Sequence, residues 1–162
     1  MQSLNKRELL DLLIKKFELE LDVAVQAVKI AHEDATNEES KPENQYDTRA
    51  LEASYVARGQ ALRVAELNET LFECKNLILR DFSEEDSIAA TALIEIESNN
   101  KKSLLFFLPK GGGSTIEMNQ SRIQVVTPST PLGKALLQMK KGDFISVELA
   151  SSQRDYEIID IQ

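Results

Sequence analysis

Two lines of apolar residues at alternating spacings of three and four constrain this chain more than any other feature. In the first, Leu10, Ile14, Phe17, Leu21, Ala24, Val28 and Ala31 follow one another at 4, 3, 4, 3, 4, 3. In the second, Ala50, Ala53, Ala57, Gln60, Val64, Leu67, Leu71, Cys74 and Ile78 run at 3, 4, 3, 4, 3, 4, 3, 4, and only Gln60 is polar. Sustained heptads of this kind predict long helices that bury one seam against another helix. Between them Asn37, Ser40, Pro42 and Asn44 are turn formers, and Pro42 cannot sit inside a helix without disrupting it. Asp47 or Thr48 can cap the second helix. The expectation is an antiparallel hairpin of two helices, each of roughly 30 residues and roughly 45 Å long. Ala50, Ala53 and Ala57 opposite Ala31 and Val28 allow close approach near the turn, and bulkier residues toward Ile78 fill a wider base. Gly59 costs about 1 kcal/mol relative to Ala, so the second helix depends on its partner. The same heptads could serve dimerisation, but the turn residues and the matched seam lengths favour pairing within the chain.

The period changes after the acidic stretch Asp81–Asp86. Ile88, Ala90, Ala92, Ile94 and Ile96 alternate, which predicts a strand. Lys102–Leu108 and Arg122–Thr127 predict two more, separated by the Gly111–Gly113 loop. Pro131 at a first turn, with Ser129 or Thr130 as its cap, predicts a short helix over Leu132–Gln138. Lys141-Gly142-Asp143 turns into a strand at Phe144–Leu149, and a last strand follows at Tyr156–Ile161. The fold class expected is α+β: a helical hairpin over 1–80, then a small antiparallel β domain with one short helix over 81–162.

Charge excludes some functions. The 162-residue chain carries a net charge of −8, and the acidic surplus is shared by both halves. Proteins that grip DNA through phosphates usually carry the opposite excess, so sequence-specific or bulk DNA binding is not expected. The acid is concentrated between Glu33 and Asp47, where six Asp and Glu accompany one Lys41. Cys74 is the only cysteine, which excludes an intrachain disulfide framework or a zinc cluster built on cysteines. No apolar run approaches the ~20 residues of a membrane span, and the first residues do not read as a signal peptide. A cytoplasmic protein is expected.

At Ser129–Asp143 the residues read STPLGKALLQMKKGD, and two strands ending YEIIDI follow. This stretch resembles the C-terminal domain of the GreA/GreB transcript-cleavage factors, whose fold is FKBP-like, and the preceding helical hairpin matches that family's coiled coil in order and length. The resemblance implies a monomeric transcription elongation factor with no active site of its own. It implies that the β domain docks on core RNA polymerase at the secondary channel and that the coiled coil enters it. Acidic residues at the tip, near 37–47, then help hold a Mg²⁺ ion of the polymerase active site near the nascent RNA 3′ end, and polymerase cleaves the backtracked RNA. Carboxylates suit this role as hard oxygen ligands for Mg²⁺. Carried over, the tip acids are Glu39, Glu43 and Asp47, with Glu39 and Glu43 as the Mg²⁺ ligands; the polymerase contacts are Thr130, Pro131 and Leu132. No cofactor is expected to bind stably. The family has an Asp three residues before a Glu-Asn; here Glu43-Asn44 matches the second part, and Ser40 stands where the Asp would be. That departure leaves open a Gre-like regulator or inhibitor that uses the same channel without cleavage.

Several residues have plainer readings. Gly111–Gly113 lacks the Lys-Ser/Thr and the helix of a phosphate loop and reads as a hairpin loop. His32 reads as a surface residue and Cys74 as a small apolar seam member. Arg49, Arg58 and Arg63 lie off the seam of the second helix, on a solvated face or against RNA or polymerase. Prolyl isomerase activity would need an aromatic-lined pocket; the chain has no Trp, and Phe106, Phe107, Phe144 and Tyr156 read as core. A coiled-coil adaptor without a polymerase link is the remaining alternative.

Overall fold

Asn5 starts the first helix by capping it: its side-chain oxygen accepts from the backbone N–H groups of Arg7 and Glu8, at 3.0 and 3.3 Å. The structure, a computed structural model, describes residues 4–36, 49–149 and 152–162. The chain divides into two compact units, one made of Met1–Leu13 with Asn76–Gln162 and the other of Ile14–Lys75. The first helix, α1 (Lys6–Thr36), therefore contributes its opening turns to the first unit. This division differs from a cut of the sequence at residue 80.

In the second unit α1 runs beside α2 (Arg49–Lys75). The expected seams are the ones that close: Phe17, Ala24 and Ala31 are buried and Ile14, Leu21 and Val28 half-buried on α1. On α2, Leu67, Leu71 and Cys74 are buried, and Ala53, Ala57, Gln60 and Val64 are half-buried. Arg63 meets Glu20 at 2.9 Å and Lys75 meets Glu18 at 2.6 Å, so numbering rises on one helix as it falls on the other. Ile78 is not part of the seam. Helix α2 ends at Lys75, and Ile78 lies beyond it, 83% exposed. Asp47 and Thr48, the expected caps, lie outside the described residues.

The first unit holds six strands, β1 (Leu93–Ser98), β2 (Lys101–Phe107), β3 (Thr115–Met118), β4 (Ser121–Val126), β5 (Phe144–Leu149) and β6 (Ser152–Ile161), and a short helix, α3 (Pro131–Leu136). Their order in the sheet is β3-β4-β2-β1-β6-β5, and every pair is antiparallel except β2 with β4, which run parallel. The sheet is the expected antiparallel one with a single parallel pair, and β3 is a strand the periodicity did not announce.

The alternation of the strands gives the sheet two buried faces. Ile94, Ile96, Leu105, Phe107, Val126, Ile145, Val147 and Ile158 form one core with Leu136 of α3. Leu93, Phe106, Ile123 and Val125 point the other way and are also buried. Leu9, Leu10 and Leu13 of α1 are fully buried within the same unit, and Leu4 lines a cavity with Glu95 and Leu104 of that second face. Among the described elements of this unit, the start of α1 is what remains to cover it.

The expected strand at Ile88–Ile96 begins only at Leu93. Thr91 adopts φ 77, a left-handed conformation that costs a β-branched residue about 1–3 kcal/mol. Three bonds hold it there: its N–H donates to the Phe107 carbonyl at 2.8 Å, its hydroxyl accepts from the Arg80 N–H at 3.0 Å, and its carbonyl accepts from the Lys6 ammonium at 3.3 Å. Lys6 also donates to the Arg80 carbonyl and sits over the Phe82 ring, 4.9 Å from its centre. Burial pushes the Lys6 pKa down, opposed by Asp81 and aided by Arg80.

Candidate functional site

The segment from Thr127 to Asp143 is built as a tight corner on the sheet unit. Thr130 has extended backbone, φ −85 and ψ 153, and caps α3 by accepting from the Gly133 N–H at 3.1 Å. Its hydroxyl in turn donates to the Thr127 carbonyl at 2.9 Å, which also accepts the Thr130 N–H at 3.0 Å. Pro131 opens the helix where no donor is needed. Gly133 lies so close to Thr127 that an added Cβ would stand 1.9 Å from the Thr127 carbonyl oxygen. Gln138, at φ 66, ends the helix and donates to the Ile88 carbonyl at 2.9 Å, while Ile88 donates back to Met139 at 2.8 Å.

The Lys-Lys-Gly-Asp stretch is a second turn. The Asp143 carboxylate accepts from the Lys140 N–H at 2.8 Å, and Gly142 takes φ +87. Lys141 bridges Glu84 at 2.8 Å and Asp160 at 3.4 Å, and the Glu84 bond is the main cause that raises its pKa. Nearby, Ser83 donates twice to Asp86 and holds that carboxyl below the usual range.

The three residues proposed to touch polymerase therefore differ. Thr130 is engaged as a cap in both directions. Leu132 is half-buried against the core cluster. Pro131 is exposed, together with Pro128, Ser129 and Lys134. The acids Glu39, Glu43 and Asp47 lie outside the described residues. Among the described residues, no group of three or more His, Cys, Asp or Glu side chains is placed to hold a metal ion, and no helix is long and apolar enough to cross a membrane.

Other candidates resolve more simply. His32 is exposed on α1. Cys74 is buried on the seam, and desolvation first, with Glu73 adding, pushes its thiol up to about 11. Arg63 is tied to Glu20 and, at 3.8 Å, to Glu66; Arg58 is exposed. Phe106 and Phe107 are core as expected and Tyr156 packs against it, but Phe144 is 73% exposed. The reason was available in the strand period: Ile145 and Val147 take the core side of β5, so Phe144 faces out.

One cavity of about 970 Å³ opens on the second face of the sheet, beside the buried Glu95, which pairs with Lys102 at 2.7 Å. None of its lining residues is aromatic.

No protein-family model matches the chain, and no curated protein sequence matches it either. Solved structures similar to it include GreA factor homolog 1 (Gfh1) of Thermus thermophilus, at 16% identity and TM-score 0.37, over 92% of this chain and 94% of that one. Gfh1 of Thermus aquaticus is similar at 15% identity and TM-score 0.38, over 91% and 92%. A prokaryotic transcription elongation factor GreA/GreB from Nitrosomonas europaea is similar at 14% identity and TM-score 0.38, over 59% of this chain and 78% of that one.

Proposed function

We propose that the chain is a transcription elongation factor of the Gre kind that acts on RNA polymerase and has no active site of its own. The observation that carries this reading is the STPLGKALLQMKKGD segment on the sheet unit, joined in one chain to two seamed antiparallel helices whose connecting segment is rich in acid. In this reading the sheet unit is the FKBP-like dock, with Pro131 presented on its surface. The helical pair is the coiled coil that enters the secondary channel and carries Glu39, Glu43 and Asp47 toward the polymerase active site. There Glu39 and Glu43 share a Mg²⁺ ion with polymerase next to the RNA 3′ end, and polymerase cleaves the backtracked transcript. Direct DNA binding is no part of the reading, because a net charge of −8 opposes it.

Ser40, in the place of the family's Asp, favours a second reading: occupation of the same channel without cleavage, as a regulator or inhibitor. Incubation of stalled, backtracked complexes with the chain separates the two. Shortened RNA supports cleavage, and slowed extension with intact RNA supports inhibition. Failure to co-purify with core polymerase would exclude both and leave a helical adaptor. If replacing Glu39, Glu43 and Asp47 together by Ala changed neither readout, the tip acids would have no part in the activity.

A further inference from the structure

The parallel ladder between β2 and β4 begins only where Leu104 pairs with Ile123. Ahead of that point the two strand starts, Lys102-Ser103 and Ser121-Arg122, are not paired with each other, and both line the cavity of about 970 Å³. Successive side chains of a strand point to opposite faces, so the lining draws on both. Glu95, Lys102 and Ser121 come from one face of the sheet, and Ser103, Arg122 and Gln124 from the other. The volume stands at the upper end of small-molecule sites, roughly 300–1,000 Å³.

The charge of this region is opposite to that of the chain. Between positions 98 and 142 there are seven Lys and Arg and a single acid, Glu117, in a chain of net charge −8. In the cavity wall Lys102 is bound to Glu95 at 2.7 Å, and Glu95 is only 7% exposed. The two charges cancel, so the buried carboxylate does not repel an anion. Arg122 is then the uncompensated charge of the described lining. Its guanidinium makes no hydrogen bond or ion pair with any described residue, although Glu117 is its cross-strand neighbour on β3. A planar fork of five N–H donors fits a carboxylate or phosphate through two parallel bonds. The side chains of Ser103, Ser121 and Gln124 likewise make no hydrogen bond with a described residue. Each of these three both donates and accepts, as the hydroxyls of a sugar require of their partners. No described lining residue is aromatic, so nothing there stacks on a nucleobase.

We infer that the gap between the starts of β2 and β4 is a binding site for a small hydroxylated anion without an aromatic ring, a sugar phosphate or a sugar acid. Arg122 takes the anionic group, the Lys102–Glu95 pair forms a neutral wall, and Ser103, Ser121 and Gln124 hold the hydroxyls. The inference does not rest on the polymerase reading: its residues all belong to the sheet unit, and none is assigned there to the dock or the tip.

Titration of the full chain, followed by NMR on the backbone amides, tests it with glucose 6-phosphate, gluconate, glucose and inorganic phosphate. At least one of the two charged sugars is expected to shift the amides of Ser103, Ser121, Arg122 and Gln124 with a millimolar or lower Kd. Which of them binds more tightly tells a phosphate ester from a sugar acid. Glucose and inorganic phosphate each carry only part of the recognised chemistry and should bind at least about tenfold more weakly. Arg122→Gln should weaken the charged sugar about tenfold or more, and Gln124→Ala about threefold. Both side chains are exposed, so both variants should keep the wild-type Tm. Arg154→Gln, on β6 and outside the lining, should bind as the wild type does. Three results would each overturn the inference: no shift by either charged sugar into the tens of millimolar, binding as tight by glucose or by inorganic phosphate, or a loss in neither Arg122→Gln nor Gln124→Ala.

Discussion

Gly133 packs against the backbone of Thr127 so closely that the Thr127 carbonyl oxygen lies 1.9 Å from where a Cβ would be. The neighbour is main chain, held by two bonds from Thr130, so it cannot swing aside as a flexible side chain would. Gly133→Ala is expected to destabilise the sheet unit by about 3 kcal/mol or more, the upper end for overpacking. Urea unfolding followed by Phe and Tyr signals checks it, and an unchanged midpoint would show that the corner yields.

Thr130→Ala removes the cap of α3 and is expected to cost about 1 kcal/mol, while Thr130→Ser keeps the hydroxyl and most of that stability. The pair of variants also separates structure from recognition. If the role of Thr130 is to cap, polymerase binding should follow stability through both variants; a binding loss in Thr130→Ser, with stability intact, would assign the residue a direct contact.

Cys74 gives the helical unit a pH dependence on the alkaline side. Its folded pKa, about 11, stands above the ordinary 9.0, so the folded state holds the proton more tightly. The associated stability is complete below about pH 9 and is lost progressively as pH rises toward 11, by ~2 kcal/mol at most. Cys74→Ala removes the titrating thiol, so the wild-type and variant stability curves should run parallel below about pH 9 and differ in slope only above it. Parallel curves would show that the thiol is not shielded.

Gly59 has no atom within 4 Å of an added Cβ and lies inside α2. Gly59→Ala is therefore expected to stabilise the helical unit by about 1 kcal/mol, partly by restricting the unfolded chain. Thermal unfolding monitored by circular dichroism is the measurement, and a lower midpoint would count against the observed helix geometry.

A fragment cut at residue 81 keeps all six strands but loses Leu4, Leu9, Leu10 and Leu13. It is expected to expose the face formed by Leu93, Phe106, Ile123 and Val125 and to aggregate or bind hydrophobic dyes. Residues 1–13 joined by a short linker to 76–162 should instead give a soluble, cooperatively melting unit. If the 81–162 fragment melted as well as the joined one, the start of α1 would not be part of the sheet's core.

Much of this was legible in the residues. Both seams could be counted because heptads constrain each position, and β2, β4, β5 and α3 follow from alternation, Pro131 and the cap. What stayed hidden has local causes. Thr91 interrupts an apparent strand because contacts from Arg80, Phe107 and Lys6 hold it left-handed, and no propensity announces that. β3 is four residues long, too short to show a period. Ile78 continued the count of the seam, but spacing alone does not say where α2 stops. The double role of α1 was concealed because Leu9, Leu10 and Leu13 read equally well as the start of the seam. At the candidate site the motif was plain, yet only the geometry distinguishes the engaged Thr130 from the exposed Pro131.

The two-part composition of the sheet unit also bears on how the molecule is made. Leu9, Leu10 and Leu13 leave the ribosome well before the strands of the unit they belong to, and the helical unit is synthesised in between. Gln162 exchanges two backbone hydrogen bonds of 2.8 Å with Leu93, so the sheet is not complete until that residue has been synthesised. During that interval the nascent chain holds an unsheltered leucine cluster, while Ile14–Lys75 can already form as an inserted helical module.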